Sequence, residues 1–574
     1  MPVSTSLDST THGLESGDFD LIVIGGGITG ICVAREAASR GLNVVLFEAD
    51  DFGSGTSAAT TKYIHGGIRY LEQYDIEVVR ESLRERRVLA LGAPHLVEQT
   101  RFIMPAWRWS KPPTALIGAG VLVYDALSFD RNRRAPESLR IPHPRWLSRR
   151  RLLEAVPWLD REGLQGAFAY HDTMNIHPER LLLAYAKSAA AAGARLYNHS
   201  RVTAFVGEDV DGDLRVDGVR VVRGADEFVV RARVVVNAAG PWIDRVLSSL
   251  GRPTGVGVDR SKGVHVLTRP IGGPGRVTDA VFARARSGRH VIVSPWMGKS
   301  FIGPTDTPID GDQSSVVVDP ADVDLILETV NSTMSADADR LSVDDVEMTT
   351  VGVRPLIRTG AHDEGGGTYS ASRRHELYHH TDHGVRNLWS IGGGKWTTGR
   401  ATAEQMVDRL FENELAERRA RRFDSRRTAA FGAFAWAEDA EPFLRSAAEE
   451  LVAAGVNRRS AETVARLYGS EYVRILELVR ADSDLGRSIG EDAADVGAQV
   501  VFAVTHESAF TLSDVIDRRL VSGTTGAVSR GTIENVARIA APLWGWDDHR
   551  VADEVRREHD RRTVTSTHWR TPTA

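Results

Sequence analysis

Three glycines and one acid have the spacing that says most about chemistry in this chain. Gly25, Gly27 and Gly30 follow the apolar run Leu-Ile-Val-Ile, and Glu48 ends the next apolar run. In a strand–turn–helix–strand unit, such glycines allow a tight turn, close approach of a diphosphate and close packing of the helix. The N–H groups at the start of the helix bind phosphate oxygens, and the acid accepts hydrogen bonds from ribose hydroxyls. The pattern predicts a dinucleotide site.

Two later segments indicate which dinucleotide the site takes. A buried-type strand ends at Asn-Ala-Ala-Gly240, and a third glycine cluster occupies residues 392–394. An NAD domain completes its sheet in one continuous series of βαβ units. Segments this far apart instead indicate an FAD domain interrupted by a second domain, so we predict FAD as the cofactor. The last cluster is expected to open a helix over residues 397–410, with its N-terminus towards the anionic edge of the flavin.

Length and composition limit the remaining possibilities. A chain of 574 residues exceeds what one hydrophobic core serves, so about two to four domains are expected. The net charge of −6 gives no overall attraction for nucleic acid. The single cysteine, Cys32, excludes an intrachain disulfide and a cysteine-built iron–sulfur cluster, which fits a reducing, cytoplasmic setting. No apolar run is long enough to span a membrane.

Changes of pattern along the chain predict an α/β fold with three domains and a tail. Residues 1–18 lack Lys and Arg and are expected to be a flexible tail rather than a secretion signal. A Rossmann-like FAD-binding domain, built from dispersed segments and interleaved with an α+β substrate-binding domain of mixed sheet, is assigned to residues 19–100, 180–260 and 343–410, and the substrate-binding domain to residues 101–179 and 261–342. Residues 430–565 are helical and charged in pattern, which predicts an all-α C-terminal domain.

The segment Thr56–Glu72 reads T-S-A-A-T-T-K-Y-I-H-G-G-I-R-Y-L-E. It resembles the segment T-S-x-x-S-K-x-I-H-G-G-x-R-Y-L-E of FAD-dependent glycerol-3-phosphate dehydrogenases. The similarity runs from about residue 19 to residue 560, with departures at Thr29, Pro304, Trp396 and Gly399. Further matching blocks are Ala93–Leu96, Asn237–Trp242, Lys262–His265, Pro295–Trp296, Thr305–Asp306, Gly352–Leu356, Gly393–Lys395, Leu467–Ser470 and Thr505–Glu507.

The resemblance implies oxidation of sn-glycerol 3-phosphate to dihydroxyacetone phosphate, with hydride transfer to flavin N5 and electrons passed to membrane quinone. An oxidase that uses oxygen, acting on glycerol 3-phosphate or on a small amine such as sarcosine or glycine, is the alternative. A flavin-bound sensor or scaffold is the non-enzymatic one. The residues expected at the cofactor are Gly25, Gly27, Ile28, Thr29, Gly30, Glu48, Thr56, Ser57, Lys62, His65, Gly66, Val202, Ala239, Gly240, Gly393, Gly394, Lys395 and Thr397.

Oxidation of an alcohol needs a base, and binding of a phosphate needs cations. His65 is the best candidate base because imidazole titrates near working pH. The alternative is that His65 forms a hydrogen bond to the cofactor and takes no part in proton transfer. Arg354 suits bidentate binding of phosphate or polarisation of the developing carbonyl, and which of the two takes the proton stays open. Arg354 and Lys395 together favour a phosphorylated polyol over a carboxylate. The other residues expected at the substrate are Arg69, Tyr70, Lys262, His265 and Thr305.

No metal site is predicted. His375, His379, His380 and His383 are clustered in a polar stretch. Because neither cysteine nor regularly spaced carboxylates accompany them, this cluster is typical of a solvated loop.

Residues 101–151 combine positive charge with apolar groups. They hold eleven Lys and Arg against three acids, with Trp107, Trp109 and Trp146 and the apolar run Ala115–Val123. That run can lie among lipid headgroups while the basic residues meet anionic lipid. An ordinary basic surface beside a core helix is the alternative, and the family resemblance favours peripheral attachment at the inner face of the cell membrane. The number of subunits stays open, with a homodimer as one arrangement.

Overall fold

A computed structural model of the chain describes Leu7, Leu14 and residues 17–570, except residues 274, 276–277, 310, 312, 314–315, 359–373, 435 and 527. The expected tail, residues 1–18, therefore lies almost wholly outside the described residues. No helix among the described residues is long and apolar enough to cross a membrane.

Strands and helices of the described residues are numbered here in chain order. The strands are β1 (Phe19–Ile24), β2 (Val44–Phe47), β3 (Tyr63–Ile64), β4 (Val97–Trp107), β5 (Arg145–Ser148), β6 (Leu164–Asn175), β7 (Arg195–Tyr197), β8 (Arg201–Val210), β9 (Asp213–Arg223), β10 (Asp226–Asn237), β11 (Val258–Thr268), β12 (Ala280–Arg284), β13 (His290–Trp296), β14 (Lys299–Gly303), β15 (Thr307–Pro308), β16 (Val346–Ile357), β17 (His375–His379), β18 (Val385–Arg386) and β19 (Leu388–Gly393). The helices are α1 (Ile28–Ser39), α2 (Ile76–Gly92), α3 (Thr114–Leu127), α4 (Arg149–Ala155), α5 (Pro178–Ala191), α6 (Ile243–Ser248), α7 (Pro320–Asn331), α8 (Gly399–Glu412), α9 (Glu441–Ala453), α10 (Arg458–Tyr468), α11 (Tyr472–Ala481), α12 (Gly497–His506), α13 (Leu512–Arg518), α14 (Arg530–Trp544) and α15 (Asp548–Thr567).

The first sheet is built around β1, which is buried along its whole length. The strand order is β17-β19-β10-β1-β2-β7. Strand β9 also pairs with β10, and β8 and β18 pair with β9. β1 pairs in parallel with β2 and β10, and β10 pairs in parallel with β19. Because parallel strands end at the same edge of a sheet, the segments that follow β1, β2, β10 and β19 meet there.

Helix α1 covers this sheet and packs against α5 and α8. Its glycine-led start lets the helix approach β1 closely. Cys32 lies inside α1 as a small core residue, and burial raises the pKa of its thiol to about 12. Helix α5 starts at Pro178, as Pro at the first turn of a helix predicts.

The second sheet has the order β15-β11-β14-β13-β12-β4-β6-β3, with β16 on β11 and β5 on β6. This sheet is mixed, because β12 and β4 are parallel while the other strand pairs of the sheet are antiparallel. The predicted fold class, an α/β protein with mixed sheets and a helical C-terminal part, is confirmed. Two segments differ from their expected places, because both were grouped with the FAD-binding segments. Strand β3 pairs with β6 of the second sheet, and β16, which spans residues 346–357, pairs with β11 over nearly its whole length.

The histidine cluster is not a solvated loop, and that expectation was wrong. His375 and His379 lie in strand β17, which pairs antiparallel with β19. This pairing stacks His379 on Trp389, with ring centres 4.2 Å apart. His380 is fully buried, and one of its ring nitrogens is 2.8 Å from Ser390 Oγ.

The basic region also differs from expectation in part, because several of its side chains point inwards. Trp107 is buried and its indole N–H donates to the Asp160 carbonyl at 3.0 Å. Arg101 is paired with Asp279 through two hydrogen bonds of 2.5 and 2.7 Å. Arg131 is buried and donates to backbone carbonyls. Trp107 and Arg131 therefore belong to the interior, and Arg101, whose side chain is 30% exposed, is paired with a carboxylate of the protein.

Helices α12 to α15 share a core of their own, whereas α9 to α11 pack into the core that surrounds α1 and α5. Buried ion pairs add to this contact. Glu507 accepts hydrogen bonds from Arg180 at 2.6 and 2.7 Å and from Lys187 at 2.9 Å. Both cations are on α5. Breaking one partner of such a pair leaves an uncompensated buried charge, so these contacts fix the helical part against the sheet.

Candidate active site

A cleft of about 650 Å³ opens at the edge where the parallel strands of the first sheet end. Thirteen of the residues expected at the cofactor line it: Gly25, Gly27, Ile28, Thr29, Glu48, Thr56, Ser57, Val202, Ala239, Gly240, Gly393, Gly394 and Lys395. They come from five separate segments of the chain. The sheet topology therefore brings together residues that are up to 370 positions apart in the sequence.

The glycines of the first turn leave room for a diphosphate against the backbone. Gly25 has a φ of +105°, and a Cβ there would lie 2.7 Å from the Ala238 carbonyl. A Cβ on Gly30 would lie 2.0 Å from the Gly25 carbonyl, so this glycine serves packing rather than contact with the cleft. Gly27 is the N-cap residue of α1 and has no side chain to cover the helix start. The Ile28 N–H donates to Ser57 Oγ at 3.0 Å. The positive end of α1 thus faces the cleft, and this cradle fits the diphosphate of FAD.

Glu48 is held rigidly at the end of β2. The Gly26 N–H donates to one carboxylate oxygen at 2.6 Å, and the Asp50 N–H donates to the other at 2.9 Å. Burial raises the pKa of this carboxyl, while the two N–H groups oppose the shift. Each oxygen accepts one bond and keeps a lone pair for a ribose hydroxyl.

Five residues expected at the cofactor do not line the cleft: Gly30, Lys62, His65, Gly66 and Thr397. Thr397 is buried in the 3₁₀ turn before α8. The ammonium of Lys62 donates to Glu179 at 2.9 Å and lies 5.4 Å from the centre of the Trp296 ring. The chain leaves the cleft after Ser57 and crosses to the second sheet, which carries His65 and Gly66 away from the dinucleotide.

His65 lies in a group with Arg69, Tyr70 and Lys395. The ammonium of Lys395 is 3.9 Å from the centre of the Tyr70 ring and donates to Ser82 Oγ at 3.1 Å. The guanidinium of Arg69 is 5.9 Å from the same ring centre. Burial lowers the pKa of His65 to about 4; Lys395 and Arg69 lower it as well, and Asp172 opposes them. The imidazole is therefore neutral at neutral pH and able to accept a proton.

Arg354 lies on β16 opposite Ser261 of β11. Its guanidinium donates to Ser261 Oγ and to the Thr305 carbonyl, both at 3.0 Å. A Cβ on Gly263 would lie 2.2 Å from this guanidinium, so a side chain there would displace it. The side chain remains 26% exposed, which leaves part of the guanidinium within reach of a substrate.

Three of the residues expected at the substrate have protein partners that indicate supporting roles. The ammonium of Lys262 is paired with Asp319 and, at 2.6 Å, with Asp322. The hydroxyl of Thr305 accepts a hydrogen bond from the Val264 N–H at 3.0 Å.

His265 is buried and stacks on Phe301 with ring centres 4.7 Å apart. Burial lowers its pKa to about 3. Neither ring nitrogen has a hydrogen-bond partner among the described residues.

The His65 group and Arg354 approach the same end of the cleft. Pro355, the neighbour of Arg354, and Lys395 both line it. Thr56 donates to the Val353 carbonyl at 2.6 Å, which ties the loop leading to His65 to strand β16. The arrangement places a neutral imidazole and several cations where the nucleotide cleft meets the second sheet.

Some lining residues were missed by the sequence reasoning. Trp242 and Trp396 adjoin motifs that were recognised, so their neighbourhood was a usable signal. Arg201 and Arg245 line the cleft from β8 and α6, and nothing in their local sequence marks them. Only the tertiary fold brings these two arginines to the cofactor side.

This fold and cleft define an FAD-dependent oxidoreductase. The family model described as FAD dependent oxidoreductase matches residues 20–409, and the one described as the C-terminal domain of alpha-glycerophosphate oxidase matches residues 391–551. FAD is therefore the cofactor.

The relatives narrow the class. The chain is 34% identical to the glycerol-3-phosphate dehydrogenase of Synechocystis sp., covering 95% of this chain and 97% of the relative. It is 33% identical to the glycerol-3-phosphate dehydrogenase of Mycobacterium leprae, over 94% and 86%. The glycerol-3-phosphate dehydrogenase of Bacillus halodurans, solved in complex with FAD, superimposes with a TM-score of 0.76 at 25% identity, over 98% and 97% of the two chains. The chain belongs to the FAD-dependent glycerol-3-phosphate dehydrogenase family, as its motifs predicted.

Proposed function

We propose that this chain oxidises sn-glycerol 3-phosphate to dihydroxyacetone phosphate and passes the electrons to a membrane quinone. The observation that carries the proposal is the group formed by His65, Arg69, Tyr70 and Lys395, of which Lys395 lines the cleft. Bound FAD supplies the hydride acceptor, N5 of its ring. His65 accepts the proton of the substrate hydroxyl, and the cations hold the phosphate.

The charges of this group favour a dianionic substrate. Lys395 and Arg69 both depress the pKa of His65, so both cations lie close to the imidazole. Arg354 adds a third cation at the same end, and its guanidinium can also polarise the developing carbonyl. A carboxylate would need one such partner, whereas a phosphate dianion neutralises two.

Substrate binding tunes the base. A phosphate dianion beside Lys395 and Arg69 cancels the charges that depress the pKa of His65. The pKa then rises towards the working pH, where a general base is most effective. Asp172 stabilises the imidazolium that forms, since its carboxylate already favours the charged ring. Lys262, His265 and Thr305 are assigned to holding the strands that carry Arg354.

The electron acceptor has a second candidate. The family model that matches residues 391–551 is named for an alpha-glycerophosphate oxidase, which favours oxygen as the alternative to quinone. Hydrogen peroxide measured during turnover, with and without a soluble quinone, separates the two. Quinone reduction with little peroxide supports our proposal, and stoichiometric peroxide that quinone does not suppress assigns the oxidase.

Helix α3 offers the surface for membrane attachment. Its outward residues are apolar, with Leu116 60% and Leu122 67% exposed, and Phe129 just beyond the helix is 75% exposed. A groove of about 630 Å³ runs along the helix beside Trp146 and Phe168. The exposed basic residues around this face are Arg108, Lys111, Arg133, Arg134, Arg140, Arg145, Arg149, Arg150 and Arg151. We assign this face to an anionic lipid surface, where the apolar groups enter the headgroup layer and the cations meet lipid phosphates.

The substrate class is tested by anaerobic titration of the FAD-loaded protein. We expect sn-glycerol 3-phosphate to bleach the flavin absorbance, because the cations of the site match its phosphate. Glycerol, glycine and sarcosine serve as controls that lack this dianion. Bleaching by glycine or sarcosine, with none by glycerol 3-phosphate, would overturn the assignment.

A further inference from the structure

Tyr124 connects helix α3 to the loop that carries His65. The Gly66 N–H donates to the Tyr124 hydroxyl at 2.9 Å. That hydroxyl in turn donates to Asp172, at 2.8 and 3.1 Å to the two carboxylate oxygens. Tyr124 is 3% exposed and Asp172 2%, so water cannot replace these bonds.

Tyr124 and Leu83 pack closely against the backbone of Gly66. A Cβ on Gly66 would lie 2.4 Å from the Tyr124 hydroxyl and 2.4 Å from Leu83. The backbone next to His65 is therefore pressed directly against the tyrosine.

Asp172 is fixed from its other side. Arg86 is paired with the Asp172 carboxylate and donates to Ser128 Oγ at 2.8 Å. Strands β3 and β6 pair with Ile64 opposite Thr173, and continuing this register by one residue places His65 opposite Asp172. Burial, together with the Asp172 charge, holds the pKa of Tyr124 well above its ordinary value, so the hydroxyl keeps the proton that it donates.

We infer that Tyr124 is a positioning residue for His65: its hydroxyl clamps Gly66 against Asp172 and thereby sets the place of the imidazole in the site. This inference rests on the proposed role of His65 as the base. Tyr124 itself does not line the cleft, and its hydroxyl bonds to Gly66 and Asp172.

The test compares Tyr124→Phe with Tyr170→Phe in the FAD-loaded protein. Tyr170 is the matched control, because it is a buried tyrosine whose ring lies 5.8 Å from that of Tyr124, while the Gly66 N–H donates to the hydroxyl of Tyr124. We expect Tyr124→Phe to lower the limiting rate of anaerobic flavin reduction by glycerol 3-phosphate on the order of 10- to 100-fold, as a displaced catalytic group does. The apparent Kd for glycerol 3-phosphate and the FAD content should stay near wild type, and Tyr170→Phe should behave as wild type.

Two measurements distinguish a loss of positioning at His65 from a general loosening of the protein. Hydrogen exchange of a peptide covering residues 63–70 should rise in Tyr124→Phe only. The acid limb of the reduction rate should also move to higher pH, because a looser loop hydrates the imidazole. The charged groups that face it, namely Asp172 on β6, Lys395 before α8, Arg69 after β3 and Arg86 on α2, are unchanged by the substitution.

The outcomes distinguish this inference from the proposed function. Wild-type reduction rates in Tyr124→Phe, or an equal loss in Tyr170→Phe, overturn the inference while a slow His65→Ala variant leaves the proposed function standing. Wild-type reduction in His65→Ala overturns both. A selective loss in Tyr124→Phe with unchanged Kd supports the clamp.

Discussion

The chemistry of His65 depends on the groups around it more than on the residue itself. Burial removes the water that would stabilise an imidazolium, and Lys395, Arg69 and Arg86 add positive charge nearby. Asp172 acts in the opposite direction. The result is a neutral imidazole. In the proposed role of His65 as the base, an arriving anion raises the proton affinity of the imidazole and so couples substrate binding to proton transfer.

The pH dependence of the free enzyme follows from this environment. Because the pKa of His65 is lowered to about 4, the imidazole stays neutral as pH falls through the range where an ordinary histidine protonates. The second-order rate constant of flavin reduction should therefore hold down to about pH 5 and decline as pH falls through about 4. With substrate bound, the limb should lie at higher pH. Stopped-flow reduction across pH 4–8 measures both limbs.

The control for this prediction is His65→Ala, whose residual rate should lack the acid limb. A wild-type limb centred near the ordinary histidine pKa of about 6.5 would contradict the buried, cation-flanked environment. The same pKa shift affects the free energy of unfolding. Between about pH 6.5 and pH 4 the unfolded chain binds a proton at His65 that the folded chain does not. His65 thus weakens folding as pH falls through that window.

Candidate site residues could be predicted where they stand in a recognisable motif, whereas their ion-pair partners could not. His65 and Arg354 stand in recognisable blocks; neither lines the cleft, but Pro355 and Lys395, which adjoin or contact them, do. Lys262 and Lys62 carried the same kind of signal, yet each ammonium is matched to buried or nearby carboxylates on distant segments. No local pattern reveals such a partner, because it is fixed only by the packing of α5 and α7.

At the scale of elements, helix α3 has two faces with different tasks. Its outer face exposes Leu122 and leads to Phe129, while its inner face carries Tyr124 to the His65 loop. The apolar run in the sequence predicted a helix at this place. The sequence did not show which tryptophans stay outside: Trp107 is buried, whereas Trp146 is 43% exposed.

Membrane docking through α3 predicts a lipid-selective association. The wild-type protein should float with vesicles containing phosphatidylglycerol, and not with vesicles of phosphatidylcholine alone, at low salt. Added salt should weaken the association, because it screens the contacts between cations and lipid phosphates. The double variant Leu122→Glu/Phe129→Glu should remain in the unbound fraction with flavin reduction intact.

The matched control is Val473→Glu/Val564→Glu, which places the same charges at exposed apolar residues on α11 and α15. This control should float as the wild type does. Equal flotation of the α3 variant and wild type would show that another surface meets the lipid.

Element identity and element placement differed in how far they could be predicted. The β1–α1 unit follows from glycine spacing: a side chain at Gly30 would meet the Gly25 carbonyl, and one at Gly25, where φ is +105°, would meet the Ala238 carbonyl. Strand β16 was recognised as strand-rich but assigned to the wrong neighbours. Its pairing with β11 spans about ninety residues of sequence, and both sheets offer equally apolar strands.

For the whole molecule, the helical C-terminal part stabilises the edge of the cleft. Arg519 donates to Asp51 at 2.9 Å and to the Glu507 carbonyl at 2.8 Å. Asp51 lies between Asp50 and Gly53, which line the cleft. The carboxylate of Asp51 also accepts from Asn198 at 2.8 Å. The loop that begins at Glu48 is thus held both by Asn198, which follows β7, and by the C-terminal helical part.

This long-range support explains why the presence of a helical domain could be predicted while its contacts could not. Composition and periodicity mark the change to helices after residue 430. The ion pairs of Asp51 and Glu507 join residues more than 300 positions apart, so they are invisible until the fold places them together. Buried pairs of this kind specify geometry at the cleft rather than adding simple stability.

The most direct test of the account is anaerobic stopped-flow reduction of three FAD-loaded proteins by sn-glycerol 3-phosphate. These are the wild type, His65→Ala and Arg354→Ala, each with its FAD content measured first. The account predicts rapid bleaching in the wild type and a loss of about 10²-fold or more in both variants, with FAD retained. Bleaching of both variants at the wild-type rate would contradict it, because the chemistry would then lie outside the site described.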